Sequence, residues 1–315
     1  MSTATQAKPA HAPPRMSLAN VYVGRRAKPD RILLVGTEGV GKSTFAANAP
    51  EPIFLAAEDG IGHLDVASFP EPKSLDDVFQ VLRVLREEPH DYKAAVIDTV
   101  DWLEPLVFDE VCTRNNWENI EAPGYGKGYT VALDEWRKIL ADLDRLRAER
   151  EMEIILIAHT AIKVFSNPSG PDFSRYELNL NRQASALLKQ WADAVLFANY
   201  EEFVQKEKGE VKAKGVSTGR RVIHTTRRAA WDAKNRHYLP EVLPLDYGDY
   251  AAARAKEQPG SPEMLAGELD ALLAELKPDK ATRAKVLSFV GDRTDARKLA
   301  QACDRIRTLI EENGK

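Results

Sequence analysis

Cysteine is nearly absent. Cys112 and Cys303 are the only two in 315 residues; they lie in separate helix-like stretches, and neither has metal-ligand spacing with a histidine. That argues against a disulfide scaffold or a zinc site and for reduced thiols in a cytoplasmic protein. Long apolar runs are missing too. No stretch approaches the ~20 residues that a membrane helix needs, and the N-terminus lacks the apolar h-region of a secretory signal. No membrane partner is therefore expected. What is present is 43% hydrophobic and 29% charged residues, with a mean hydropathy of −0.40. That composition fits a soluble chain with one large α/β domain and a small appendage.

A strong excess of positive charge is also lacking, since the formal net charge is −4. The average hides an asymmetry. Between Phe203 and Tyr238 stand ten Lys/Arg, at 206, 208, 212, 214, 220, 221, 227, 228, 234 and 236, against three acidic residues at 207, 210 and 232. A basic strip on an acidic body is a possible nucleic-acid footprint. It is equally compatible with a solvated hairpin, because the Lys/Glu alternation of QKEKGEVKAKG is ordinary surface chemistry.

The chain is organised around RILLVGTEGVGKSTF, residues 31 to 45. Ile32 to Val35 read as a short buried strand. Gly36-Thr37-Glu38-Gly39-Val40-Gly41-Lys42-Ser43 then fits G-x-x-x-x-G-K-[S/T] at every fixed position, with Thr44 following. Glycines let the backbone fold around an anion so that successive N–H groups point at a β-phosphate. Lys42 brings positive charge to the β- and γ-phosphates, and the Ser43 hydroxyl is placed to ligate Mg²⁺. A helix over about 42–48 should follow. ATP and Mg²⁺ are the expected cofactors.

Further along, residues 1–18 are Ala/Pro-rich and read as a disordered arm. Apolar runs at 52–57, 94–97, 153–158, 194–198 and 221–226 read as strands. Helical periodicity at 74–88, 101–115, 131–150 and 181–191 separates them, the first opened by a capping box at Ser74-Leu-Asp-Asp77. Alternating strands and helices predict a mostly parallel, doubly wound α/β sheet over 19–247. From 248 to 315 the pattern is all helical, with breaks at Lys277-Pro278-Asp279 and Gly291-Asp292. Ligands bind at the carboxyl ends of parallel strands, which gathers Glu58, Asp98 and His159 at the P-loop edge. Asp98 suits a Mg²⁺-orienting carboxylate acting through water. Glu58 suits the group that activates the attacking water, near the γ-phosphate but off the metal.

The P-loop, LAAEDG, AAVIDT, ILIAHT and AKNRHYLP, taken as an ordered set over about residues 30–245, resemble the RecA-core ATPases. More narrowly they resemble phage-encoded single-strand annealing recombinases of the Sak group. The resemblance implies a RecA-like P-loop NTPase core. RecA-type cores carry the catalytic glutamate at the Glu58 position and a γ-phosphate sensor at the His159 position, where RecA itself has glutamine. Two stretches become candidates for single-stranded DNA. One is the flexible GYGKGY loop with Tyr125, Lys127 and Tyr129; the other is the loop from Lys163 to Arg182 with Arg175 between. Both could instead be surface loops or lids over the nucleotide. In RecA-like and DnaB-like cores, cations at the place of Lys234 and Arg236 reach a neighbour's γ-phosphate; here they could also belong to the basic strip.

What the resemblance implies is a DNA-stimulated ATPase that binds single-stranded DNA and promotes annealing or strand exchange. It would assemble as a filament or ring with ATP between subunits, and a single-strand-binding protein is a possible partner. A ring helicase or helicase loader on the same core, and a regulatory NTPase switch for a protein partner, are the alternative readings.

Overall fold

The computed structural model describes Met16, Val21 and residues 28–57, 60–168, 170–205, 214–255 and 262–313. Glu58, Lys206, Lys208 and Lys212, and the arm over 1–18 apart from Met16, lie outside the described residues. In chain order the elements are β1 (Arg31–Gly36), α1 (Lys42–Ala47), β2 (Pro52–Ala56), β3 (Ala67–Ser68), α2 (Leu75–Glu87), β4 (Ala94–Asp98) and α3 (Val100–Asn115). Then come α4 (Lys127–Glu149), β5 (Glu153–Phe165), β6 (Phe173–Leu178), α5 (Arg182–Trp191), β7 (Ala194–Gln205), β8 (Lys214–His224), β9 (Lys234–Asn235) and β10 (Val242–Pro244). Four helices follow: α6 (Tyr247–Ala255), α7 (Pro262–Leu276), α8 (Lys280–Val290) and α9 (Ala296–Asn313).

The sheet order is β10-β8-β7-β1-β5-β4-β2-β3. From β7 to β3 every neighbouring pair is parallel, so the expected mostly parallel sheet with alternating helices is present. Parallel strands are covered on both faces and read as continuous apolar runs, and β1 shows how the faces divide. Leu33 and Val35 join Leu82, Leu103, Trp136 and Leu188 in a core under α2, α3, α4 and α5. Ile32 and Leu34 face the other way, toward Phe45 of α1 and Tyr247 and Tyr250 of α6. The rings of Phe45 and Tyr247 meet edge-on at 5.5 Å, and Tyr250 donates its hydroxyl to Asp30. Helix α6, just past residue 247, therefore packs with the sheet, whereas α7, α8 and α9 share an apolar cluster of their own around Leu269, Leu273, Leu299 and Ile306. No helix among the described residues is long and apolar enough to cross a membrane.

Local signals act where expected. Ser74 accepts from Asp77 N–H while the Asp77 carboxylate takes the Ser74 N–H, closing the capping box of α2. Asp279 caps α8 and Gly291 ends it. Two segments differ from expectation. Strand β5 does not stop at 158; Thr160, Ile162 and Val164, β-branched at alternate positions, carry it on to pair with β6 as an antiparallel ribbon. A loop from Lys163 to Arg182 is expected there, but Lys163–Phe165 and Phe173–Leu178 belong to the ribbon. Helix α4 begins at Lys127 rather than 131. Gly124, Tyr125 and Gly126 make a left-handed turn with φ of 72°, 49° and 68°. Gly128 then packs so tightly that a Cβ there would lie 1.8 Å from the Ile120 carbonyl oxygen. Lys127 and Tyr129 thus belong to the first helical turn, not to a flexible loop.

Candidate active site

The P-loop leaves β1 at Gly36, where a Cβ would stand 2.3 Å from the Ala198 carbonyl oxygen of β7; only glycine fits so close an approach. Gly39 (φ +68°) and Gly41 (φ +105°) take left-handed conformations that turn the backbone around the loop's mouth. Lys42 is buried, 5% exposed, and its ammonium donates to the carbonyls of Gly36 (3.1 Å) and Thr37 (2.8 Å). The cation is thereby held across the opening where phosphate charge would enter. Ser43 hydrogen-bonds to Asp98 at the end of β4. Burial of Asp98 pushes its carboxyl above the ordinary range, against the opposing pull of the Ser43 bond, Lys42 and His159. A buried carboxylate so poorly compensated, bonded to a hydroxyl beside an anion loop, is an all-oxygen donor pair suited to a hard cation such as Mg²⁺. Among the described residues no cluster of three His, Cys, Asp or Glu could hold a metal, so Mg²⁺ here would need phosphate oxygens and water to complete its shell.

Strand β5 lies between β1 and β4. Its register sets His159 beside Gly36, two residues past the level of Asp98, so the imidazole stands between P-loop and Asp98. Asp101, in the first turn of α3, grips it twice: Oδ1 accepts the His159 backbone N–H and Oδ2 meets Nδ1, each at 2.9 Å. A carboxylate on Nδ1 fixes the tautomer of a neutral ring, with the proton on Nδ1. Burial pushes the Asp101 carboxyl up, but its contacts with His159, together with Thr99, more than reverse it, and it ends below the usual range. One turn further along α3, Glu104 accepts the Asn181 N–H with both oxygens, at 3.1 and 3.0 Å, and burial raises its pKa to about 7. The chain between Leu178 and α5 is held from the other side too, because Asn179 N–H donates to the His159 carbonyl at 2.9 Å. Beside Asp98, Ala57 N–H donates to the Asp98 carbonyl at 2.8 Å, which anchors β2 at the same edge up to the last residue before Glu58.

A lysine-closed phosphate loop, a serine–aspartate pair and a polar strand end between them form the nucleotide-binding edge of a P-loop ATPase. Residues 28–237 match the model of a family described as "AAA domain". The chain belongs to that family. No curated protein matches it. Among solved structures, one titled "Crystal structure of the RadB recombinase" is similar at 13% identity and a TM-score of 0.37, covering 65% of this chain and 84% of that one.

The AAA domain does not bring all the expected site residues to this edge. Lys234 and Arg236, expected to reach a neighbouring subunit's γ-phosphate, stand away from this chain's own P-loop. Strand β9 pairs with the first residues of β7, Ala194 and Val195, which is the sheet edge opposite the P-loop. There the Lys234 ammonium donates to the carbonyls of Lys189, Gln190 and Ala192, neutralising the open C-terminal end of α5. Arg236 pairs with Asp193 at 3.1 Å, which Arg31 and Arg147 also hold. Arg175, a candidate contact for single-stranded DNA, is not open to it. It is buried, bonded to Asp232 at 2.6 Å and Glu177 at 3.1 Å, with its guanidinium over Phe165, so it fastens the ribbon and offers no open cation. Tyr129 donates its hydroxyl to Glu121 (2.9 Å) and sets its ring edge-on to Phe108. Tyr125, Lys127, Lys163 and Arg182 are exposed. So are Ile162 (67%) and Val164 (73%), which flank Lys163 on the ribbon.

Residue patterns do not single out Asp101 and Glu104, although a spacing of three along the helix that follows Asp98 places both behind it. They also miss Tyr200 and Arg221. The Tyr200 hydroxyl lies 3.5 Å from the Gly39 carbonyl oxygen, and Arg221 Nη1 would be 2.8 Å from a Cβ on Gly41. Spacing cannot reveal these, since strand pairing alone carries them to the loop.

Proposed function

We propose that this AAA domain hydrolyses ATP with Mg²⁺ and uses the nucleotide state to control binding of single-stranded DNA, in support of annealing or strand exchange. The observation that carries this reading is the position of His159. Its side chain sits between the P-loop and Asp98, its carbonyl holds Asn179 at the base of the β5–β6 ribbon, and Asp101 fixes its ring. A shift of the imidazole on meeting or losing a γ-phosphate acts directly on the backbone that bears the ribbon.

In this reading Lys42 and the loop N–H groups neutralise the charge that spreads over the phosphoryl oxygens, and Ser43 and Asp98 hold the cation, Asp98 through water. Mg²⁺, held by Ser43 and by Asp98 through water, would offset the charge of the phosphates. Glu58 is assigned the orientation of the attacking water. Lys163, Arg182, Lys127 and the open ring of Tyr125 are assigned to DNA, the cations to phosphates and the ring to base stacking. ATP is placed between subunits of a filament or ring, and the helices beyond α6 are assigned to a separate appendage. The test is the ATPase rate of the purified protein with and without single-stranded DNA, alongside electron microscopy of both samples. A rate that DNA leaves unchanged, with no assemblies seen, would remove the recombinase reading.

A second reading has support from Ile162 and Val164, because exposed β-branched side chains suit a protein partner better than a phosphate backbone. It makes the ribbon the effector surface of an NTPase switch. Absence of DNA binding at low salt, where phosphate contacts are strongest, would favour it.

A further inference from the structure

The β7–β8 side of the P-loop carries two groups for which hydrolysis has no use. Tyr200 on β7 and Arg221 on β8 stand directly opposite each other in the antiparallel ladder, so both side chains leave the same face of the sheet. Both reach the loop. The Tyr200 hydroxyl approaches the Gly39 carbonyl oxygen at 3.5 Å, and the Arg221 guanidinium lies over Gly41, 2.8 Å from where a Cβ would stand. Leu245 Cδ2 is 3.7 Å from that same point, and its N–H donates to the Arg221 carbonyl at 3.0 Å, so the residue that follows β10 braces the platform.

The charge of Arg221 sets it apart from its neighbours. Arg220 is paired with Glu201, Arg227 with Asp232, Arg228 with Glu241 and Arg236 with Asp193. Arg221 is exposed and forms no ion pair among the described residues, yet it is the arginine of this group that faces an anion-binding loop. A guanidinium with its fork unused is suited to two phosphate oxygens at once.

Strand order says which phosphate it would meet. Ser43, Asp98 and His159 put the cation and the terminal phosphate on the β5–β4 side of β1, and β7 and β8 lie on the other side. A nucleotide laid along the loop with its γ-phosphate at Asp98 runs its α-phosphate and nucleoside toward Tyr200 and Arg221. We propose that these two residues form the nucleoside-end subsite for a nucleoside 5′-triphosphate, Arg221 pairing with the α-phosphate and Tyr200 giving its ring to the base. This inference rests on the nucleotide reading of the P-loop.

Calorimetric titration of the full chain with Mg²⁺ and ATP, ADP or inorganic tripolyphosphate tests it. Arg221→Ala is expected to weaken ATP and ADP alike, by roughly tenfold to a hundredfold for a lost charge-assisted pair. Tyr200→Ala is expected to weaken ATP and ADP by roughly tenfold and to leave tripolyphosphate unchanged, since that ligand has no base. Both side chains lie at the surface, and an unchanged melting temperature will show that the variants are folded. Arg221→Ala binding ATP and ADP as the wild type does overturns the assignment. So does a loss confined to ATP, which would move the guanidinium to the γ-phosphate, and equal losses of ATP and tripolyphosphate in Tyr200→Ala. Wild-type protein that binds none of the three overturns the nucleotide reading, and this subsite with it.

Discussion

Replacing Glu104 by glutamine should make the ATPase core more stable at pH 8 and leave it nearly unchanged at pH 5. Glu104 is 8% exposed, and burial raises its pKa from 4.5 to about 7. An acid whose pKa is higher folded than unfolded holds its proton more tightly in the native state. Stability is then greatest below the unfolded value, falls as pH rises from about 4.5 to about 7, and is level above that. The shift corresponds to at most about 3 kcal/mol, and about 2 kcal/mol after allowing for solvent screening at its partly open side. Glutamine keeps the shape, and its carbonyl oxygen can still accept the Asn181 N–H that both Glu104 oxygens now share. It removes only the charge, so the variant should gain about 2 kcal/mol at pH 8. Urea unfolding followed by tryptophan fluorescence reads the right part of the molecule. All five tryptophans, at 102, 117, 136, 191 and 231, precede α6, so the α7–α9 cluster contributes no signal. If the two proteins keep the same difference in stability from pH 5 to pH 8, Glu104 does not carry a buried charge and the reasoning fails.

Lys42→Ala should lower ATP affinity by at least about 3 kcal/mol and abolish turnover, because the loop loses its buried counter-charge; Glu58→Gln should bind ATP normally and hydrolyse it slowly, and single-turnover assays separate the two. Tyr125→Ala should weaken single-stranded DNA binding by about 1–3 kcal/mol, whereas Tyr129→Phe, which loses only the Glu121 bond, should not; equal losses in a DNA titration would contradict the difference in their exposure. Lys234→Ala should cost about 1–2 kcal/mol of stability by uncovering the end of α5. Its turnover per folded molecule should be that of the wild type, and a collapse of ATPase rate without loss of stability would restore it to the catalytic machinery.

Much of the fold was legible because the signals were local. Apolar runs, a complete G-x-x-x-x-G-K-[S/T] match and a capping box each act within a few residues, and the strands and helices they predict are present. The ribbon is hidden because the loop-like composition at 166–172 masks the strand signal of its flanks. The alternation of Thr160, Ile162 and Val164 was the stronger signal. Tyr129 and Lys127 were misplaced for a related reason. Three glycines suggested flexibility, but Gly128 is there because the Ile120 carbonyl leaves no room for a side chain. A glycine that permits close packing and one that permits motion look the same in a sequence. Lys234, Arg236 and Arg175 show the remaining limit, since whether a basic residue is open to a ligand depends on carboxylates and carbonyls brought to it by other elements.

The same dependence on pairing is what would let the site act as the proposed relay. The segment ending in Asp98 and the P-loop strand are separated in the sheet by β5, which passes between them and then continues beyond the sheet as the ribbon. A strand that ended at His159 could sense a phosphate and do nothing further. Because β5 runs on to Phe165, a displacement of its backbone at His159 would be carried along the β5–β6 ladder to Ile162, Lys163 and Val164. Asp101 and Glu104 hold the two chain segments at the ribbon's base from the same helix, α3, one at His159 and one at Asn181. The ribbon and the start of α5 are therefore fixed to a common support, α3, that begins two residues after Asp98. Under the proposed reading, a change at the γ-phosphate would reach the ribbon through one strand and one helix, β5 and α3.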